Sequence, residues 1–262
     1  MRRVVSCLAA LAAAVGLLAG CGDSDDAVTT SSGSESPSIT GTITVFAAAS
    51  LHDAFTSLGE KFEAEHPGTK VVFNFGPSSG LATQIGQGAP ADVFASASTK
   101  TMDQVVPGGD ATEPKDFAAN TMEIAVPPDN PAAVKALADL ARKGVKVALC
   151  QAGVPCGATA AKVFENAQIT VTPVTEEIDV KAVLSKVTLG EVDAGVVYVT
   201  DVRAAGDAVK SIEIPGDVNA ATTYPIAALT GSENKATAQA FVDHVLSPVG
   251  SAELTAAGFR MP

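Results

Sequence analysis

Two hydrophobic periods alternate along this chain from about residue 43 onward. Short unbroken apolar runs rich in Val, Ile, Phe and Ala read as buried strands. They fall at 43–47, 71–75, 92–96, 123–126, 146–149, 171–174, 194–198, 212–214 and 224–229. Between them the apolar spacing lengthens to that of a helix. On 51–65, Leu51, Ala54, Phe55, Leu58 and Phe62 fall on one face. Further helices are predicted from the turn at 76–80 through 85 and over 132–141, 157–166, 180–188, 234–246 and 248–257. Strand–helix alternation of this kind predicts α/β architecture, with parallel sheets covered by helices on both faces. Ligands of such sheets sit at the carboxyl ends of the strands. No internal repeat at a solenoid period is visible.

The stretch Thr44-Val45-Phe46-Ala47-Ala48-Ala49-Ser50-Leu51 organises the pattern. It reads as a strand that stops at small residues and turns into a helix with Ser50 as N-cap. A helix start of this kind presents free N–H groups and the positive end of the dipole, which suits an anion. The same strand, small-residue turn and helix recur at Gly76-Pro77-Ser78-Ser79-Gly80 and at Gly153-Val154-Pro155-Cys156-Gly157. A fourth start, Ile178-Asp179-Val180, carries an Asp cap. Any one of these is explained by ordinary capping. Several after parallel strands predict helix N-termini facing one cleft, with an anion held by serine hydroxyls and backbone N–H groups.

The N-terminus follows a different pattern. Arg2 and Arg3 precede an apolar run over 8–18 that is too short to span a bilayer, as in an export signal. Leu-Ala-Gly-Cys at 18–21 resembles the lipobox of bacterial lipoproteins, which implies cleavage before Cys21 and a lipid on its thiol. The alternative is an ordinary signal peptide that ends near a cysteine. Residues 21–40 are rich in Ser, Thr, Gly and Asp and are expected to form a disordered tether. About nineteen flexible residues reach roughly 25 Å.

Charge narrows the partners. The chain has 17 basic and 29 acidic side chains, and loss of Arg2 and Arg3 would bring the net from −12 to −14. Such a surface opposes nucleic acid and anionic lipid. Catalytic signatures are weak. His52, His66 and His244 have no metal-ligand spacing, and neither a G-x-S-x-G elbow nor a P-loop is present. An exported hydrolase with Ser50 or Ser78 as nucleophile remains the rival from another class, since triads assemble in space. An effector-binding domain of a regulator is a further rival, opposed by the export signal and the lack of a helix-turn-helix segment. Cys150 and Cys156 flank a short loop and form either a disulfide, as befits an exported protein, or a pair of buried thiols.

Ile-Thr-Val-Phe-Ala-Ala-Ala-Ser-Leu (43–51), the Ser-Ser turn (78–79), Gly-Ala-Pro-Ala-Asp-Val-Phe-Ala-Ser-Ala (88–97) and Gly-Val-Val-Tyr-Val-Thr-Asp (195–201) resemble the molybdate-binding proteins of bacterial ABC importers. The similarity runs from about residue 42 to 260. It implies a type II periplasmic-binding fold: two α/β lobes, two crossing strands and a ligand clamped between the lobes. The family's hydroxyl donors fall on Ser50, Ser78 (Ser79 if the register slips by one) and Tyr198, and its backbone donors on Cys156 and Val180. Cys156 departs from the small residue common there, tolerably for a main-chain donor. The resemblance implies no catalysis and no cofactor, a monomer that binds molybdate or tungstate, and delivery to a membrane permease by a protein tethered through Cys21 outside the cytoplasm. Sulfate or another oxyanion on the same fold is the near alternative. None of the five positions is acidic, which suits an unprotonated dianion, although Asp53 and Asp179 lie close in sequence. Hydrogen bonds to a charged group contribute about 1.5–3 kcal/mol each. Five to seven, less desolvation and closure, give roughly −8 to −12 kcal/mol. The implied lobes are 41–123 plus 227–262, and 124–226, after a signal at 1–20 and an anchor and tether at 21–40.

Overall fold

The structure is a computed structural model that describes residues 38–262. The expected signal, Cys21 and nearly all of the expected tether lie outside the described residues. By Thr40 the chain is already held. The Thr40 N–H donates to Thr237 Oγ1 at 3.2 Å, and that hydroxyl donates back to the Thr40 carbonyl at 2.8 Å.

The first elements are β1 (Gly41–Ala48), α1 (His52–Glu65), β2 (Thr69–Gly76), α2 (Ser78–Gly86), β3 (Val93–Ala95), α3 (Thr99–Met102) and β4 (Lys115–Val126). Then come β5 (Val147–Cys150), α4 (Pro155–Ala167), β6 (Thr175–Glu177), α5 (Val180–Thr188), β7 (Ala194–Tyr198) and α6 (Val199–Ala205). The chain closes with β8 (Lys210–Glu213), β9 (Ala221–Ala228), α7 (Lys235–Leu246) and α8 (Pro248–Ala257). Spatial order along the sheet path is β2-β1-β3-β9-β4-β7-β5-β6, with β8 pairing β4 off that path. The outer strands β2, β1 and β3 at one end and β7, β5 and β6 at the other are parallel. Both parallel groups are joined through antiparallel β9 and β4.

β4 is the long crossing strand. It pairs with β9 up to Thr121 and with β7 from Met122 onward, so one strand serves two sheets. The cores divide at the same place. Val45, Phe55, Phe62, Phe117, Tyr224 and Phe241 belong to one buried cluster, and Met122, Ile124, Val147, Val183 and Val196 to another. A third cluster, with Phe46, Leu81, Phe94 and Met102, covers the opposite face of β1 and β3. The molecule therefore has two α/β lobes with a cleft at the crossing. Tyr224 and Ile226 of β9 pack in the first core, although the 124–226 limits assign them to the second lobe.

Several sequence expectations change. The helix expected over 132–141 shrinks to a 3-10 turn at Leu137–Ala141. Asn130 and Ala133 take positive φ, and the Asn130 side chain bonds both the N–H and the carbonyl of Val134. The Asp139 carboxylate also accepts the N–H groups of Lys135 and Ala136, so side chains satisfy the backbone in place of a helix. The strand expected at 171–174 forms instead at Thr175–Glu177, beside β5. β4 is much longer than 123–126, because its polar N-terminal half is a strand through pairing with β9. Helices α3 and α6 were not anticipated.

Candidate functional site

The carboxyl ends of β1 and β2 and the starts of α2, α4 and α5 meet at the cleft. One small pocket there is lined by Ser50, Pro77, Ser78, Cys156, Asp179, Val180 and Tyr198, with Ala48, Ala49, Gly76, Ala97, Val154, Pro155 and Ile178. Its cavity volume is about 230 Å³ including the open mouth, below the size typical of sites for drug-sized ligands. The five residues that the sequence proposed as donors are thus brought to one pocket, and Ser79 is not among its lining.

The three α-helices are entered differently. α2 begins at Ser78 after an extended Pro77. α4 begins at Pro155, whose ring suits the first helical position, so Cys156 carries the first available N–H. α5 begins at Val180, and Asp179 Oδ1 caps it by accepting the Ala182 N–H at 2.9 Å. The N–H groups of a first turn have no acceptor inside their own helix. Ser78, Cys156 and Val180, each in the first turn of its helix, all line the pocket.

The α4 start is tightly built. Cys150 and Cys156 are joined by a disulfide, with Cα atoms 5.8 Å apart. A Cβ on Gly157 would lie 2.0 Å from the Gln151 carbonyl oxygen, so only glycine lets the loop close this far.

The hydroxyls differ in their partners. Ser50 is not an N-cap, which corrects the expectation. It lies inside a buried 3-10 turn, Ala49–Leu51, and makes no cap bond. Its Oγ instead lies 2.8 Å from Tyr224 Oη in a buried pair. Ser78 Oγ accepts the Ala97 N–H at 3.0 Å, which leaves its own proton free to donate. Tyr198 is only 1 % exposed, and its Oη has no hydrogen-bond partner among the described residues. Burial pushes its phenol pKa well up, so it stays a protonated donor. Neither serine is bonded to an imidazole, as a nucleophile would require; His52 pairs with Asp53 at an exposed edge.

Among the described residues, no Lys or Arg lines the pocket, and Asp179 is its one acidic residue. Asp53 lies outside the lining and bonds His52 Nδ1 and Lys181 Nζ, each at 2.8 Å. Partial burial would raise its pKa, but the hydrogen bonds from Lys181 and His52 outweigh this and hold it low. Among the described residues, Lys181–Asp53 is the ion pair that joins the lobes, from α5 to α1.

Sequence reasoning missed three participants. Tyr224 enters the sequence reading only as the first residue of the strand expected at 224–229. Thr222 Oγ1 donates to the Ala97 carbonyl at 2.5 Å and so fixes the group that bonds Ser78. Asp201 is fully buried, accepts the Tyr198 N–H at 3.1 Å and lies 3.7 Å from Lys181 Nζ. Burial pushes its carboxyl up to about 7, against the pull of Lys181. An acidic residue three positions beyond the end of an apolar strand was the available signal for α6.

Comparison with known proteins gives a consistent set. The family model for bacterial extracellular solute-binding proteins matches residues 43–260. The chain is 44% identical over 221 residues to the molybdate-binding protein ModA of Mycobacterium tuberculosis, covering 84% of this chain and 85% of that protein. Among solved structures, the periplasmic molybdate-binding protein of Azotobacter vinelandii superposes with a TM-score of 0.73 at 22% identity, over 84% of this chain and 99% of that one. The sulfate-binding protein SubI of Mycobacterium tuberculosis gives the same TM-score of 0.73 at 17% identity, over 84% and 87%. Structural likeness at these identities identifies a periplasmic-binding fold and does not choose an anion.

Proposed function

This chain belongs to the bacterial extracellular solute-binding proteins, and from that premise we propose that it captures molybdate, and tungstate as well, for an ABC importer. The observation that carries the reading is Tyr198 Oη, a buried hydroxyl without a partner, in a small pocket where helix starts converge and no cation stands. A molybdate dianion carries no proton at neutral pH and needs donors only. Ser50 and Ser78 donate from one lobe by their hydroxyls. Cys156 and Val180 donate from the other by N–H, and Tyr198 by its phenol. The 44% identity to a molybdate-binding protein supports this choice among oxyanions. A smaller ion such as sulfate reaches fewer donors at good length.

Ligand held between the lobes, 41–123 plus 227–262 and 124–226 with Tyr224 and Ile226 packing in the first, contacts both only when they are closed. Binding therefore favours the closed form, which the permease would recognise. A lipid on Cys21 and the 21–40 tether would keep this monomer at the outer face of the cell membrane.

Calorimetric titration of the purified protein with molybdate, tungstate, sulfate and phosphate tests the reading. Tight one-to-one binding of molybdate and tungstate, with sulfate far weaker, is expected. Preference for sulfate would move the ligand assignment to that anion. No heat with any of the four, from folded and ligand-free protein, would overturn the receptor reading.

A further inference from the structure

The two serines of the first lobe are supported by one face of one strand. Thr222 and Tyr224 stand two residues apart on β9, so their side chains share a face. Tyr224 Oη meets Ser50 Oγ at 2.8 Å, and Thr222 Oγ1 donates to the carbonyl of Ala97, whose N–H donates to Ser78 Oγ at 3.0 Å. All four side chains are buried.

We propose that Thr222 and Tyr224 are positioning residues that turn the Ser50 and Ser78 protons into the cleft and so bias the site toward tetrahedral oxyanions that carry no proton. This rests on the oxyanion reading of the same pocket. The Ser78 half admits no reversal: an N–H can only donate, so the Ser78 oxygen accepts and its proton is left for the ligand. At Ser50 either hydroxyl can be the donor. Tyr224 is fully buried, and burial holds its phenol in the protonated form. Its ring is wedged against Phe117, Tyr198 and Phe259 with centroids 5.2–6.2 Å away, and its backbone is locked in β9 against Ala118. A fixed phenol donor aimed at Ser50 Oγ spends that oxygen as an acceptor and leaves the serine proton for an anion. In the opposite orientation Ser50 would present lone pairs to a dianion, which is repulsive. A protonated anion such as hydrogen phosphate brings a donor of its own. The helix N–H groups can only donate, and the serine oxygens already accept, so such an anion finds an acceptor only where Tyr198 Oη gives up its own donation or at the Asp179 oxygen not spent on capping α5.

The test is a double-mutant cycle on the full protein, read by calorimetry with molybdate and phosphate as probes and by thermal melting. Tyr224→Phe is expected to weaken molybdate binding about tenfold in the wild-type background and to add nothing in the Ser50→Ala background. The molybdate-to-phosphate affinity ratio should narrow with it. Thr222→Val should weaken binding by a similar factor, and Thr222→Ser, which keeps the hydroxyl, should restore it. Equal weakening by Tyr224→Phe in both backgrounds would assign Tyr224 to packing alone and overturn its role. If Tyr224→Phe does not fold, the Thr222 pair decides, and equal affinity of Thr222→Val and Thr222→Ser would overturn the proposal. Absence of any oxyanion binding by the wild type would instead overturn the reading beneath it, a separate outcome.

Discussion

In the proposed site the two lobes present donors to the same pocket by opposite means. The first uses side chains, Ser50 and Ser78, whose oxygens meet Tyr224 Oη on β9 and the Ala97 N–H. The second relies largely on backbone, the N–H groups at the starts of α4 and α5, fixed by a disulfide, a proline and an Asp cap. Tyr198 is its exception, a side-chain hydroxyl held by burial without a partner. A side-chain donor can be deleted by one substitution. A backbone donor can only be displaced. The two halves should therefore fail in different ways.

The largest effect is expected at the backbone end. Gly157→Val places carbon against the Gln151 carbonyl, where even a Cβ would lie 2.0 Å away. We expect destabilisation by about 3 kcal/mol, seen as a lowered melting temperature, together with loss of binding as the α4 start shifts. A melting temperature equal to wild type would show that the α4 start is not rigid.

The side-chain end is sharpened by comparing Ser78→Ala with Tyr198→Phe. Both should weaken molybdate binding by about 1–3 kcal/mol. Their stabilities should diverge. Ser78→Ala strips the Ala97 N–H of its acceptor and should lower the melting temperature of the ligand-free protein. Tyr198→Phe removes a buried hydroxyl without a partner, so the ligand-free melting temperature should hold or rise. A clear fall for Tyr198→Phe would mean that its hydroxyl is satisfied in the free protein.

Asp201 connects the comparison to pH. Its folded pKa of about 7 lies above the ordinary value of about 3.9 for an unfolded aspartate. Between these values the folded state binds more protons than the unfolded one. The stability contributed by protonated Asp201 is full below about pH 4 and is lost as pH rises through about 7. Asp201→Asn can still accept the Tyr198 N–H and escapes this loss. Its melting temperature should gain on wild type between pH 5 and pH 8, and a constant difference would contradict the raised pKa.

The smallest effect is expected where the lobes are joined by charge. Lys181→Met removes the partly exposed pair with Asp53 and should weaken closure, and with it ligand affinity, by under about 1 kcal/mol. The part due to Asp53 should vanish in high salt, and a salt-independent loss would point instead to the buried Asp201 carboxylate 3.7 Å from Lys181 Nζ or to packing of the Lys181 stem.

Much of this architecture was legible in the pattern. Val180–Thr188, Ala194–Tyr198 and Pro248–Ala257 appear over the ranges their periodicity predicts, because each has a clear apolar face and a local start or stop signal. The segment at 132–141 misled because its Ala-rich composition favours a helix, while the side chains of Asn130 and Asp139 claim the backbone groups that a helix would use. The polar half of β4 was invisible because its strand state depends on a partner about a hundred residues away, as in the pairing of Thr121 with Ala221.

At the site the same division holds. The residue types that can donate to an anion, the small-residue turns and the resemblance at 43–51 and 88–97 are written locally, since capping and turn chemistry act over a few residues. Which proton points where is not local. The Ser50 hydroxyl looks like a helix cap in sequence and is a partner of Tyr224 in space, 174 residues on. The pairing of β9 with β3 on one side and β4 on the other brings Thr222 and Tyr224 beneath the first-lobe serines. Hydrogen-bond direction depends on which neighbour can only donate, and tertiary structure alone supplies that neighbour.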